Sequence, residues 1–194
     1  MSKKNDFQNA ADAYNRQDYE TAYKLYLPLA EQGYADVQNF LGIMYSNGKG
    51  VLQDYKEAVK WYRLSAEQGN AKAQFALGFR YEIGNGVTQD YKEAVKWYRL
   101  SSEQGHAKAQ FNLALKFANG QGVSKDYKEA VKWYRLSAEQ GNAKAQSILG
   151  EMYDEGKGVS QDYKEAVKWW RLSAEQGRAK AQLNLGVMYY KGHG

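Results

Sequence analysis

Residues 54–69 read DYKEAVKWYRLSAEQG, and the block returns as DYKEAVKWYRLSSEQG at 90–105, DYKEAVKWYRLSAEQG at 126–141 and DYKEAVKWWRLSAEQG at 162–177. The spacing is 36 residues each time. Self-similarity at a fixed period in this range marks a repeat architecture, in which stacked units bury a core that no single unit could form. Between the blocks lie segments such as NAKAQFALGFRYEIGNGVTQ (70–89) and NAKAQSILGEMYDEGKGVSQ (142–161), so each unit reads as two helices joined by short loops. A degenerate copy, DYETAYKLYLPLAEQG (18–33), opens the array.

Each boundary has a chemical reason. Asp54 is placed to cap the second helix of its unit, with Glu57 reaching back to complete a capping box, and the pair repeats as Asp90/Glu93, Asp126/Glu129 and Asp162/Glu165. In the first copy Thr21 stands where the glutamate should be. Gly69, repeated as Gly105, Gly141 and Gly177, ends that helix, and Gly84 and Gly86 end the helix after it. Pro28 falls inside the helix of the first copy, where proline costs about 3 kcal/mol and kinks or ends it, so an irregular first repeat is expected. Gly78 sits mid-helix, and the next unit carries Ala114 there. Small size, rather than backbone freedom, is therefore the requirement.

Composition narrows the function. One proline, no cysteine, 17 tyrosines, 5 tryptophans and 25% charged residues fit a helical protein with aromatic packing. The net charge of +5 is spread through every unit, which argues against a nucleic-acid footprint. The opening MSKKNDFQNAADAYN has no apolar run, so neither a secretory signal nor a membrane span is expected, and a cytoplasmic location follows. Two histidines, His106 and His193, are too few for a histidine-rich metal site or a catalytic triad, and the G-x-G-V loops follow helices and lack a phosphate-binding lysine. No catalytic residue, cofactor or metal is expected, and the chain is read as not an enzyme.

The pattern A-x-x-x-L-G-x-x-Y-x-x-G-x-G-V followed by D-x-x-x-A-x-x-W-Y is carried by Ala73, Leu77, Gly78, Tyr81, Gly84, Gly86, Val87, Asp90, Ala94, Trp97 and Tyr98. It resembles the Sel1-like repeat family, which is related to tetratricopeptide repeats. Phe7, Ala10, Ala11 and Tyr14 fit the first helix of such a unit. The resemblance implies an all-α, right-handed superhelical solenoid of about five helix pairs plus a terminal helix. Read so, 1–194 is one solenoid with repeats near 4–33, 34–69, 70–105, 106–141 and 142–177 and a half repeat at 178–194. Trp61, Trp97, Trp133 and Trp169 would anchor the interfaces, and the first helix of each pair would line the concave face.

The copies also serve as their own comparison. The second helices differ only at Ser102 and Trp170, whereas the first helices change in the same places in every unit. One row is Asn39, Phe75, Phe111, Ser147 and Leu183; the next is Ile43, Phe79, Leu115, Glu151 and Val187; the third is Ser46, Glu82, Ala118, Asp154 and Tyr190. Steps of 4 and then 3 put the rows on one helix face. Asn47, Ile83, Asn119, Glu155 and Lys191 extend it. Variable side chains on a constant scaffold are how a solenoid presents a shaped surface. The expected partner-binding residues are Phe75, Phe79, Ile83, Phe111, Leu115, Ser147, Glu151, Asp154, Glu155, Leu183, Val187 and Tyr190. An apolar patch beside an acidic one suits a protein or peptide with apolar anchors and a basic neighbour.

The function expected is a bacterial adaptor or scaffold gripping a protein or peptide. The alternatives are an immunity protein that neutralises a cognate toxin, which the family also contains, and a helical-repeat nucleic-acid binder. An acidic or apolar strip would repel phosphate, which counts against the last. The helix from Arg178 to Tyr190 lacks a following helix, so the chain is expected to be a monomer or to associate weakly end to end.

Overall fold

The computed structural model describes residues 3–193, with side chains from Asp6 onward. Among the described residues there are eleven α-helices and no strand. They are α1 (Lys3–Asn15), α2 (Tyr19–Glu31), α3 (Ala35–Asn47), α4 (Tyr55–Glu67), α5 (Ala71–Ile83) and α6 (Tyr91–Glu103), then α7 (Ala107–Asn119), α8 (Tyr127–Glu139), α9 (Ala143–Glu155), α10 (Tyr163–Glu175) and α11 (Ala179–Tyr190). Packing divides the chain into two compact units, residues 1–101 and 102–194, with the division inside α6.

The second helices start as the sequence suggests, with one correction. Asp54 accepts from the backbone N–H groups of Lys56 at 2.8 Å and Glu57 at 3.1 Å, and Asp90, Asp126 and Asp162 do the same in their units. The reciprocal half of the capping box is not made. The N–H of Asp54 is already donated to the Tyr45 carbonyl at 3.0 Å, as Asp90, Asp126 and Asp162 donate to Tyr81, Phe117 and Tyr153. Glu57, Glu93, Glu129 and Glu165 instead pair with the lysine three residues on.

The loops use their two glycines for different ends. Gly84 caps α5 in the left-handed conformation at φ 69°. Gly86 adds close approach to a positive φ of 82°, because a Cβ there would stand 2.2 Å from the Tyr55 carbonyl oxygen. The first repeat is irregular in its turn rather than in its helix. Pro28 does not end α2, which keeps the 13-residue length of its neighbours. Pro28 is exposed while Tyr26, Leu29 and Ala30 around it are buried, so packing holds the helix across the missing hydrogen bond. The α1–α2 turn is short and places Gln17 at φ 64°.

The first unit has two linked cores. Ala10, Ala13, Tyr26, Leu41 and Met44 form one, and Tyr62, Leu77 and Trp97 belong to the other. The second unit buries Leu113, Tyr134, Leu149, Trp169 and Trp170. The deepest aromatics are not the tryptophan series: Tyr26, Tyr98 and Tyr134 are 0–1% exposed, whereas Trp61 and Trp133 are only half-buried. Tyr62 and Tyr98 lie against glycines of the preceding helix. A Cβ on Gly42 would stand 2.5 Å from Tyr62, and one on Gly78 would stand 2.9 Å from Tyr98.

Polar ties repeat at the same positions in each unit. Ser65 donates to the Ala35 carbonyl at 2.7 Å and Ser101 to that of Ala71 at 2.7 Å; Ser137 and Ser173 do likewise to Ala107 and Ala143. Buried Gln146 donates to the Ala138 carbonyl at 3.0 Å and accepts from Gln176 at 2.8 Å, so one amide joins two second helices. Arg63 donates to the Tyr81 hydroxyl at 2.6 Å and Arg171 to that of Tyr189 at 2.7 Å, with Arg135 and Tyr153 paired alike. These constant basic side chains are occupied in holding neighbouring helices together. No helix among the described residues is long and apolar enough to cross a membrane.

Candidate interaction face

The variable rows of the first helices share a face, as their spacing requires, but they differ in depth. In the first unit Asn39 and Ser46 on α3 are buried. The Ser46 hydroxyl hydrogen-bonds the Tyr62 hydroxyl at 3.1 Å and accepts from Arg80 at 2.8 Å. On α5, Phe75 is half-buried with its ring centroid 5.9 Å from that of Tyr98, and Glu82 accepts from the Tyr98 hydroxyl. Between and after them the face opens to water: Phe79 is 40% exposed and Ile83 45%. The same α-helix therefore packs its first-row side chain against Tyr98 and presents its second.

The second unit carries different chemistry at the same rows. Phe111 on α7 lies 5.8 Å from Tyr134 and is half-buried, as is Leu115. Burial raises the Tyr134 phenol above its ordinary range, and the Glu151 charge adds to the effect. Ser147 on α9 does not belong to the accessible surface. It is 2% exposed, beneath the indole of Trp170, whose Nε1 donates to the Ser147 carbonyl at 3.1 Å. Leu183, Val187 and Tyr190 on α11 are exposed.

A cleft of about 250 Å³ forms between α9 and α11. Its lining brings together Glu151, Asp154, Glu155 and Val187 of the sequence-expected set, while Leu183 and Tyr190 lie outside it. Trp170, Lys180, Asn184, Met188 and Lys191 complete the wall. The acidic character read from the sequence is largely neutralised. Lys180 reaches both carboxylate oxygens of Glu151 at 2.9 Å, and Lys157 holds Glu155 at 3.1 Å, which leaves Asp154 as the cleft carboxylate without an ion pair among the described residues. Lys180 was identifiable in sequence only as one of a lysine series, because its partner lies 29 residues away on another helix.

Pairs of equal-length helices, repeated at one period and tied by the same bonds in each copy, define a helical-repeat protein. The Sel1 repeat profile matches residues 16–34, 35–70, 71–106, 107–142, 143–177 and 179–194. The chain belongs to the Sel1 repeat family, and its fold is an all-helical solenoid of those repeats. The matches begin at residue 16, so α1 lies outside them although it packs on α2.

Among solved structures the chain is similar to a protective antigen of uropathogenic Escherichia coli strains displaying an SLR fold, with 39% identity and a TM-score of 0.94. That match covers 98% of this chain and 42% of the antigen, so the chain spans under half the antigen's length. It is also similar to a Sel1 repeat protein from Oxalobacter formigenes, with 40% identity and a TM-score of 0.90, covering 94% of this chain and 75% of the other. A sel1 repeat protein from Klebsiella pneumoniae shares the fold at 19% identity and a TM-score of 0.58. A search of curated proteins found no match.

Proposed function

We propose that this chain is a cytoplasmic, non-enzymatic protein-interaction module that grips a segment of a protein partner on the variable face of its first helices. The observation that carries this reading is the contrast within one helix. On α5, Phe75 is packed against Tyr98, whereas Phe79 and Ile83, one and two turns on, are 40% and 45% exposed. Large apolar side chains held in water on a rigid element cost solubility and favour a partner that covers them. In the second unit Leu115 is a half-buried apolar side chain one turn beyond Phe111, which packs against Tyr134. The cleft between α9 and α11 supplies the polar part of that unit's surface through Asp154 and Lys191.

The test is affinity capture from the native host with three forms of the chain, each shown to be folded by circular dichroism. They are the native sequence, Phe79→Ser with Ile83→Ser, and a second-helix control, Leu64→Ser with Leu100→Ser. Leu64 and Leu100 are 45% and 38% exposed on second helices, so the control removes comparable apolar surface elsewhere. A protein retained by the native and control forms and lost by the α5 variant supports the reading. Equal retention by all three contradicts it.

A further inference from the structure

The Glu151–Lys180 pair acts as an internal template for what the rest of the face lacks. Lys180 stands at the second position of α11 and reaches back to Glu151 on α9 at 2.9 Å. One period earlier, Lys144 stands at the second position of α9, and the residue on α7 that corresponds to Glu151 is Leu115. In the first unit Lys72 on α5 and Ile43 on α3 hold the same two places. Lys144 and Lys72 are exposed and, among the described residues, have no carboxylate partner. At the two repeat positions where Glu151 and Lys180 meet, these copies carry an apolar residue and a lysine instead. The geometry that would receive a carboxylate is present in the helix spacing, since α9 and α11 show it filled.

We infer that the partner segment, on the interaction reading above, is acidic and apolar together, bringing a carboxylate to Lys144 while its apolar side chains cover Leu115. This reverses the charge preference that the acidic residues of α9 suggest in isolation. Glu151 and Glu155 are already paired with Lys180 and Lys157, whereas Lys144, at the place equivalent to Lys180, has no carboxylate partner among the described residues. Phe111, one turn before Leu115 on α7, is itself fixed by its ring contact with Tyr134.

Fluorescence anisotropy on the full chain tests this with three labelled peptides that share one Phe-x-x-Leu core and carry Glu, Gln or Lys at the remaining positions. The Glu peptide binds about fivefold tighter than the Gln peptide, the size expected for one or two exposed ion pairs, and the Lys peptide binds weakest. Lys144→Glu abolishes that preference and leaves the Gln peptide unchanged. Lys128→Glu, the same charge change on the exposed start of α8, keeps it. Leu115→Ser weakens all three peptides. The inference is overturned if the Lys peptide binds as tightly as the Glu peptide, or if Lys128→Glu removes the preference as fully as Lys144→Glu, because attraction would then come from net charge alone. If the Gln peptide binds through Leu115 and the Glu peptide gains nothing, the interaction face stands and its acidic partner does not. If none binds, or Leu115→Ser changes nothing, both readings fail.

Discussion

The Trp170 indole lies across Gly150: a Cβ at that glycine would stand 2.6 Å from the ring, whose Nε1 donates to the Ser147 carbonyl one turn earlier. Gly186, at the equivalent place on α11, has nothing within 4 Å. One substitution should therefore act in opposite directions at the two sites. Gly150→Ala forces the ring off its seat and costs about 1–3 kcal/mol. Gly186→Ala gains helix propensity, up to about 1 kcal/mol. Urea denaturation of the two variants decides it, and equal destabilisation at both would refute the packing role assigned to Gly150.

The requirement for a small residue was legible in the sequence because the repeat at 106–141 replaces glycine with Ala114, which only a size constraint permits. The period, the helix boundaries and the face carrying the variable rows were legible for the same reason, since each rests on local chemistry repeated in register. What depends on contacts between helices was not. The capping box loses its reciprocal half because the Tyr45 carbonyl arrives from the neighbouring helix and takes the Asp54 N–H first. Ser147 reads as a surface residue until Trp170 is laid over it. The acidic patch reads as unpaired until α11 brings Lys180 to Glu151.

The same distinction gives a prediction at the caps. Asp54→Ala removes the acceptor of two backbone N–H groups and should lower stability by about 0.5–2 kcal/mol. Glu57→Ala removes only an exposed pair with Lys60, worth a few tenths of a kcal/mol. Equal losses in thermal melts would mean that the glutamate contributes to the cap after all.

Gln146 is the polar counterpart of the aromatic seat. It is 4% exposed and joins the Ala138 carbonyl to the Gln176 amide. Gln146→Ala should cost about 1–3 kcal/mol, because it removes two hydrogen bonds, each worth about 0.5–1.5 kcal/mol. Gln176→Ala should cost less, since that residue is exposed. Chemical denaturation of the two variants measures the difference, and the reverse order would contradict the role given to Gln146.

Alkaline stability follows from the buried phenols. Burial raises Tyr26, Tyr62 and Tyr134 above the ordinary value of 10.0. Below about pH 10 these groups are neutral in the folded and unfolded chain alike. Above it the unfolded chain ionises them and the folded chain resists, so stability falls as pH rises from about 10 toward the raised values. Tm followed by circular dichroism across that window should drop steadily, and Tyr134→Phe should make the drop shallower. A Tm independent of pH there would contradict the burial of these groups.

The most direct measurement of the central claim is site-specific photo-crosslinking in the native host. A benzophenone amino acid is placed in turn at Phe79 on the first-helix face and at Leu64 on a second helix, two positions of similar exposure. The account predicts a discrete crosslinked protein from position 79 and none from position 64. A crosslink from position 64 alone would place the partner on the second helices and contradict the account.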